Sequence, residues 1–473
     1  MIDILFINPP LVDYDNKNKP KFLVYTSFFP PINLAYLSSF LEESGFDTAI
    51  IDMDAEKLGL SSISKMLNIF KPKVIGIGIT SDVIFPISYK IVKKIKNLNK
   101  EIPIILGGVF PTKNPQFLLK KAQINYVVKG EGEKTLFELI NYFLYEKGDL
   151  NQIKGISYKI NSKIIHNDQR ELIKNLDDLP FPAWEKFDVR KYYTSISYRN
   201  PSWGITASRG CPFNCIFCAT SVFQRYRRRS PKNVVDEIKY LKDELNIRDI
   251  TFHDPTFNVS SDWVIDFCKE LIKRDINVKW RCLCRVDNID EKMVAYMKAS
   301  GCYNIALGIE TSKDKYLDFL NKCFTISQVR KAIEIIKKFN IEILAYFMYG
   351  IPGQRIQDLE HNRRFIKEIA PDYINILILN PATGTKLFDI AQKKGWLANY
   401  NIETFISPER LGVEKGWWDI PYLNEKILNY YIRKSYLHYF LNIEIIKKHI
   451  IRYLKHPFRI LNALKNSIFR FLS

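Results

Sequence analysis

Short apolar runs alternate with amphipathic helical stretches twice along this chain, and no other feature constrains the fold as much. In the first part the strand-like runs are residues 4–7, 48–51, 74–79, 102–106 and 126–128; in the second they are 204–207, 249–252, 278–282, 304–307, 343–347 and 373–378. Runs that are apolar throughout fit strands buried on both faces, and the helices between them supply the crossovers of a parallel sheet. The expected fold class is α/β. A doubly wound parallel sheet over residues 1–150 precedes six β/α units over 200–390 that form an open, partial (β/α)6 barrel.

Two other segments read differently. Residues 151–199 look like a linker carrying a hairpin, with residues 155–158 and 163–166 pairing across Ile160-Asn161-Ser162 and a proline-punctuated strap over 176–184. Residues 391–473 form a basic, largely helical C-terminal region in which lysines and arginines interleave with tyrosines and phenylalanines.

The first strand of the second series runs into Ser208-Arg209-Gly210-Cys211-Pro212-Phe213-Asn214-Cys215-Ile216-Phe217-Cys218. Three cysteines this close cannot all pair as disulfides, and no fourth cysteine or histidine nearby closes a tetrahedral zinc site. Soft thiolates suit iron–sulfur chemistry, and three of them leave one iron open to a further ligand. The loop sits directly after a strand, where barrel enzymes carry their chemistry. The other five cysteines, at 268, 282, 284, 302 and 323, are scattered, and buried thiols acting as small hydrophobes explain them better than a second cluster.

With that position, Cys211, Cys215 and Cys218 resemble the signature loop of the radical S-adenosylmethionine (radical SAM) superfamily; Arg209-Gly210 and the aromatic Phe217 agree as well. The resemblance implies a four-iron four-sulfur cluster on the three cysteines. It also implies a SAM molecule chelated to the fourth iron and cleaved to a 5′-deoxyadenosyl radical. It assigns SAM contacts to loops after successive strands: Phe217 beside the adenine, Asp254 after the second strand, Arg285 on the SAM carboxylate, Glu310 on a ribose or ammonium, and Gly350 in an adenine-contacting loop. In Phe252-His253-Asp254-Pro255-Thr256-Phe257 a proline replaces one acid of the family's pattern, so only Asp254 carries over.

The first series resembles the Rossmann-like cobalamin-binding domain that precedes many radical SAM enzymes. Leu106-Gly107-Gly108 followed by Pro111-Thr112, then Val127-Val128-Lys129-Gly130-Glu131-Gly132-Glu133, carries the resemblance. Ligands of such sheets bind outside the carboxyl ends of the strands, which points to Asn8, Ser81, Gly107 and Gly108 as cobalamin contacts. The Asp-x-His-x-x-Gly signature is absent, and residues 1–150 contain no histidine to ligate cobalt.

The formal net charge of +19 identifies no nucleic-acid partner, since most lysines fall at helix-surface spacing. No basic leader or membrane-spanning run is present, which leads to a cytoplasmic expectation, with peripheral membrane contact through the basic C-terminal region as a further one. The expected activity is cobalamin-dependent methyl transfer to an unactivated centre, fed by an external one-electron reductant and acting on a small-molecule or lipid-like substrate. The alternatives are radical cyclisation or rearrangement, radical SAM chemistry without cobalamin, and a non-enzymatic structural metal or electron-transfer protein.

Overall fold

The structure is a computed structural model that describes residues 1–16, 27–194, 196–220, 225–397 and 422–455. Two compact units divide these residues at Tyr192/Tyr193, Ser27 aside.

The first unit holds strands β1 (Ile4–Asn8), β2 (Thr48–Asp52), β3 (Val74–Gly78), β4 (Ile104–Gly107), β5 (Tyr126–Val128), β6 (Ile156–Ile160) and β7 (Lys163–His166). They form one sheet in the order β2-β1-β3-β4-β5-β6-β7. β1 to β5 pair in parallel, whereas β6 and β7 join antiparallel. Alternate residues feed two cores. Leu5, Ile7, Ile75 and Ile77 meet helices α2 (Ser62–Phe70) and α3 (Phe85–Leu98). Ile4, Phe6 and Val74 meet α1 (Ile32–Glu43) and α4 (Glu133–Tyr145). Both faces are covered, as continuous apolar strands require.

The hairpin read as part of a connector extends this sheet: Tyr126 registers with Tyr158, and Tyr158 is buried. The strap is tied to the same unit, with Trp184 fully buried and the Ala183 amide donating to the Ala35 carbonyl at 3.1 Å.

The second unit holds β8 (Ser202–Ile205), β9 (Asp249–Phe252), β10 (Lys279–Cys284), β11 (Cys302–Glu310), β12 (Glu342–Tyr349) and β13 (Tyr373–Ile378). These pair in sequence order and all in parallel, a sheet that curls into a half-barrel. Crossovers of one hand that always advance in one direction put every helix on the same face and leave the other concave and open. The outer face is packed by α5 (Pro231–Leu245), α6 (Ser261–Lys273), α7 (Glu291–Ala299), α8 (Ile326–Lys338) and α9 (Ile356–Ile369). Phe267 of α6, for example, stands edge-on to Phe252 and Trp280.

Four of these five helices are capped by the residue before their first turn. The side chains of Ser230, Ser260, Asp290 and Thr325 accept from backbone N–H groups three residues on. Helix α10 (Glu425–Phe440) covers the free edge of β13, where the Ile376 amide donates to the Tyr436 hydroxyl at 3.2 Å. Helix α11 (Ile443–Lys455) follows. Among the described residues no helix is long and apolar enough to cross a membrane. Trp417, Trp418 and the basic and aromatic residues from 456 onward lie outside the described residues.

Candidate functional site

At the carboxyl end of β8 the chain enters the cysteine loop through a short ladder in which Ser208 and Arg209 pair with Arg228 and Arg227. Gly210 then takes φ +80°, a left-handed turn that a side chain would strain, and delivers Cys211. Backbone bonds pin the rest of the loop: the Ile216 amide donates to the Leu320 carbonyl at 3.1 Å, and the Leu387 amide donates to the Ile216 carbonyl at 2.9 Å.

Cys211, Cys215 and Cys218 are free thiols of intermediate exposure. Burial pushes the Cys215 thiol up, opposed by the nearby Lys322 and Arg285 cations. Among the described residues no three His, Cys, Asp or Glu side chains converge tightly enough to share one metal ion. Thiolates that each serve a different iron of a cluster stand farther apart than the ligands of a single ion. Three free thiols on one loop, faced by two cations that favour thiolate, fit a four-iron four-sulfur cluster.

Arg285, 6% exposed, stacks its guanidinium 3.7 Å from the Phe213 ring centroid and reaches to 3.9 Å from Cys215 Sγ. It forks onto Asp287 with two contacts of 2.9 Å. Its backbone is clamped by Asn258, whose amide oxygen accepts from the Arg285 N–H and whose amide nitrogen donates to the Arg285 carbonyl. Glu310 sits at φ +67°, beside a register shift between β11 and β12. One of its oxygens meets Lys322 Nζ at 2.8 Å; the other, Oε2, is buried without a partner among the described residues. Lys322 Nζ in turn lies 5.9 Å from the Phe217 ring centroid. Phe217, Arg285, Glu310 and the cysteines therefore gather at one end of the half-barrel.

Two other expected residues stand in supporting positions. Asp254 accepts from the Ala207 amide and the Ser208 hydroxyl, so its carboxylate braces the chain entering the cysteine loop; burial pushes it up to about 6. Gly350, at φ +85°, donates its N–H to the Gln354 side-chain oxygen at 2.9 Å in the loop after β12. Sequence reasoning missed Lys322, Asn258 and Phe213. Lys322 follows a helix rather than a strand, so a rule that searches strand ends passes over it.

In the first unit the order β2-β1-β3-β4-β5 reverses between β1 and β3, and open sheets bind ligands at the carboxyl end of such a switch point. Asn8 and Gly107 end β1 and β4 on that side, and Ser81 and Gly108 stand on the loops after β3 and β4. The Asn8 amide donates to Asp52 Oδ1 at 2.9 Å, and Tyr192 holds the other Asp52 oxygen at 3.0 Å. The Ser81 side chain makes no capping bond to the helical turn it precedes. A Cβ on Gly107 would meet nothing within 4 Å, whereas one on Gly108, at φ +109°, would lie 2.6 Å from the Ile79 carbonyl oxygen. An open rim with polar edges and one tight glycine turn fits a large planar cofactor. His166, on the edge strand β7, has both ring nitrogens hydrogen-bonded, to Ser157 and Gln116. It stands five strands from β1, roughly 24 Å at strand spacing.

Comparison with known proteins agrees with both halves. Residues 205–366 match the radical SAM superfamily and residues 21–140 match the B12 binding domain. An uncharacterized methyltransferase of Pyrococcus horikoshii is 31% identical over 439 residues, covering 92% of this chain and 93% of that protein. The chain belongs to the radical SAM superfamily. It is an enzyme of the group that carries a B12-binding domain, whose cofactors are a four-iron four-sulfur cluster, SAM and cobalamin. The anaerobic magnesium-protoporphyrin IX monomethyl ester cyclase of Rubrivivax gelatinosus is 30% identical over 396 residues, covering 80% of this chain and 69% of that one. The structure of the cobalamin-dependent radical enzyme OxsB, with aqua-cobalamin and SAM bound, superposes with a TM-score of 0.74 at 18% identity. That superposition covers 98% of this chain and 72% of OxsB, and it shows a shared fold.

Proposed function

We propose that this radical SAM enzyme is a cobalamin-dependent methyltransferase acting on a small molecule. The observation that carries the reading is the end-to-end likeness, through both units, to a methyltransferase. Cys211, Cys215 and Cys218 would hold a cluster that would supply the electron for SAM cleavage, and the first unit would hold a cobalamin that would supply a methyl carrier.

The chain's own groups do the rest. Arg285, whose Nε and Nη2 are held by Asp287 and whose backbone is held by Asn258, would offer its remaining Nη1, the nitrogen nearest Cys215, to the SAM carboxylate. The free Glu310 oxygen would accept from the SAM ammonium or ribose, while Lys322 holds the other oxygen in place. Phe217 would cover the adenine side, and the Gly350 turn, fixed by Gln354, would shape the loop after β12 beside it. Asp254 fixes the entry to the loop, so the three thiols keep their spacing.

The likeness to a cyclase supports a second reading, ring closure with the same cofactors. Anaerobic reconstitution with SAM, cobalamin and a one-electron reductant separates them. Formation of both 5′-deoxyadenosine and S-adenosylhomocysteine is expected for methyl transfer. 5′-Deoxyadenosine without S-adenosylhomocysteine selects cyclisation or rearrangement, and absence of both rejects the radical reading.

A further inference from the structure

The concave face of the half-barrel carries polar groups that the cysteine loop does not use. On β10 the helix-facing Trp280, Cys282 and Cys284 are buried and alternate with Arg281 and Leu283 on the other face. Register carries that face across the sheet. Arg281 pairs with Asn304 and Leu283 with Ala306; farther along, Ala306 pairs with Leu344, and Tyr346 with Asn375. Partners in a parallel pair project from the same side, so these residues line one concave wall.

Two of them have hydrogen-bonding capacity that the protein leaves unused. Arg281 Nε donates to Thr251 Oγ1 at 2.9 Å and Nη2 to Thr194 Oγ1 at 3.4 Å; among the described residues the guanidinium has no ion pair. The neighbouring carboxylate, Asp249, is occupied elsewhere. It accepts from the Tyr198 and Arg199 amides at 2.7 and 3.0 Å, the Ser202 hydroxyl at 3.1 Å and the Tyr303 hydroxyl at 3.2 Å. Asn304 is 1% exposed, yet neither its amide nitrogen nor its oxygen has a partner among the described residues. Burying a full amide unmet is costly, so Asn304 calls for a partner that the described residues do not supply.

His253, the residue after β9, keeps solvent-exposed area, although surrounding protein pushes its imidazole down to about 4. A ring on the wall of a concavity shows that combination. It is neutral at pH 7, so the positive charge on this wall comes from Arg281 and from Lys279, two residues before it on the same face. Leu283 beside Arg281 is half-buried, and Ala306 and Leu344, each 8% exposed, back it with apolar packing.

We propose that this wall anchors the substrate by an oxyanion, a carboxylate or a phosphoryl group, with the Arg281 fork as ion-pairing donor and the Asn304 amide as a second contact. The substrate class is then a small organic acid or phosphate ester whose apolar body lies against Leu283. The assignment rests on the reading of this barrel as the chamber for a small-molecule radical substrate.

Arginine footprinting tests it on the full-length, cluster-loaded protein without turnover. Phenylglyoxal labelling at Arg281, followed by peptide mapping, is measured with benzoate, phenyl phosphate or neutral benzamide present. Benzoate or phenyl phosphate is expected to slow labelling about tenfold, the effect of one charge-assisted contact, while benzamide leaves it unchanged. The anion that protects at the lower concentration distinguishes a carboxylate from a phosphoryl substrate. Equal protection by benzamide, or none by either anion, overturns the proposal. In equilibrium dialysis, Arg281→Gln should weaken the protecting anion by about tenfold and Arg281→Lys by less; undiminished binding by Arg281→Gln also overturns it. If Arg281→Gln does not fold by circular dichroism, the wild-type footprint decides alone. Because no SAM cleavage is involved, failure here leaves the radical reading standing, and absence of 5′-deoxyadenosine in the reconstitution refutes that reading separately.

Discussion

The two units use the same β/α repeat and part company over strand order. In the first, β2 lies on one side of β1 and β3 on the other, so helices pack both faces and the opening is a crevice at the strand ends. In the second, β8 to β13 follow one another without reversal, helices pack one face, and the other becomes a concave wall. Reversal makes a shelf for a flat cofactor; steady advance makes a chamber. One local pattern thus supplies a carrier site and a reaction site, and the choice between them lies in where the chain turns back.

This contrast predicts that damage to one unit spares the property of the other. Cys215→Ala should have the largest effect: 5′-deoxyadenosine formation and the cluster's iron absorbance both disappear, while cobalamin retained per protein is unchanged. Loss of cobalamin in the same variant would break the separation. Lys322→Met comes next, because it strips Glu310, 5% exposed, of its ion-pair partner. Removing one partner of a buried pair costs about 3–5 kcal/mol. A fall in the urea midpoint together with weaker SAM binding is expected, and Glu310→Gln in the same background should restore much of the midpoint.

Gly108→Ala acts on the first unit. It places a side chain at φ +109° and 2.6 Å from the Ile79 carbonyl oxygen, a strain of about 2 kcal/mol or more. Bound cobalamin, read by absorbance, should fall while cobalamin-independent SAM cleavage holds. The smallest effect is a pH slope in the second unit. Burial raises the Asp249 carboxyl to about 6, outweighing its hydrogen bonds. Between about pH 4 and 6 the folded chain therefore holds a proton that the unfolded chain has released, and stability falls as pH rises through that window. Asp249 contributes at most about 1.4 kcal/mol per pH unit of that slope, and urea titrations of Asp249→Asn should lose that share while Asp254, also raised to about 6, keeps its own.

Much of the architecture was legible because strand and helix periods are local. The strands fall within a few residues of the apolar runs, and 249–252 and 373–378 coincide with β9 and β13. The hairpin over 156–166 was visible as a hairpin, but its membership of the first sheet depends on Tyr158 pairing with Tyr126. Asn8 was visible as a residue at a strand end; its engagement by Asp52 depends on β2 lying beside β1.

By itself, the amino-acid sequence determined the alternation that makes both units α/β and the three-thiol loop, because ligand spacing within eight residues is a local property. Tertiary structure decided the strand order, the Lys322–Glu310 pair and the clamp of Asn258 on Arg285. It also decided the placing of Arg281 and Asn304 on one concave wall. Those contacts join residues 12 to 27 positions apart or on separate strands, and only the register of a curled sheet determines which of them meet.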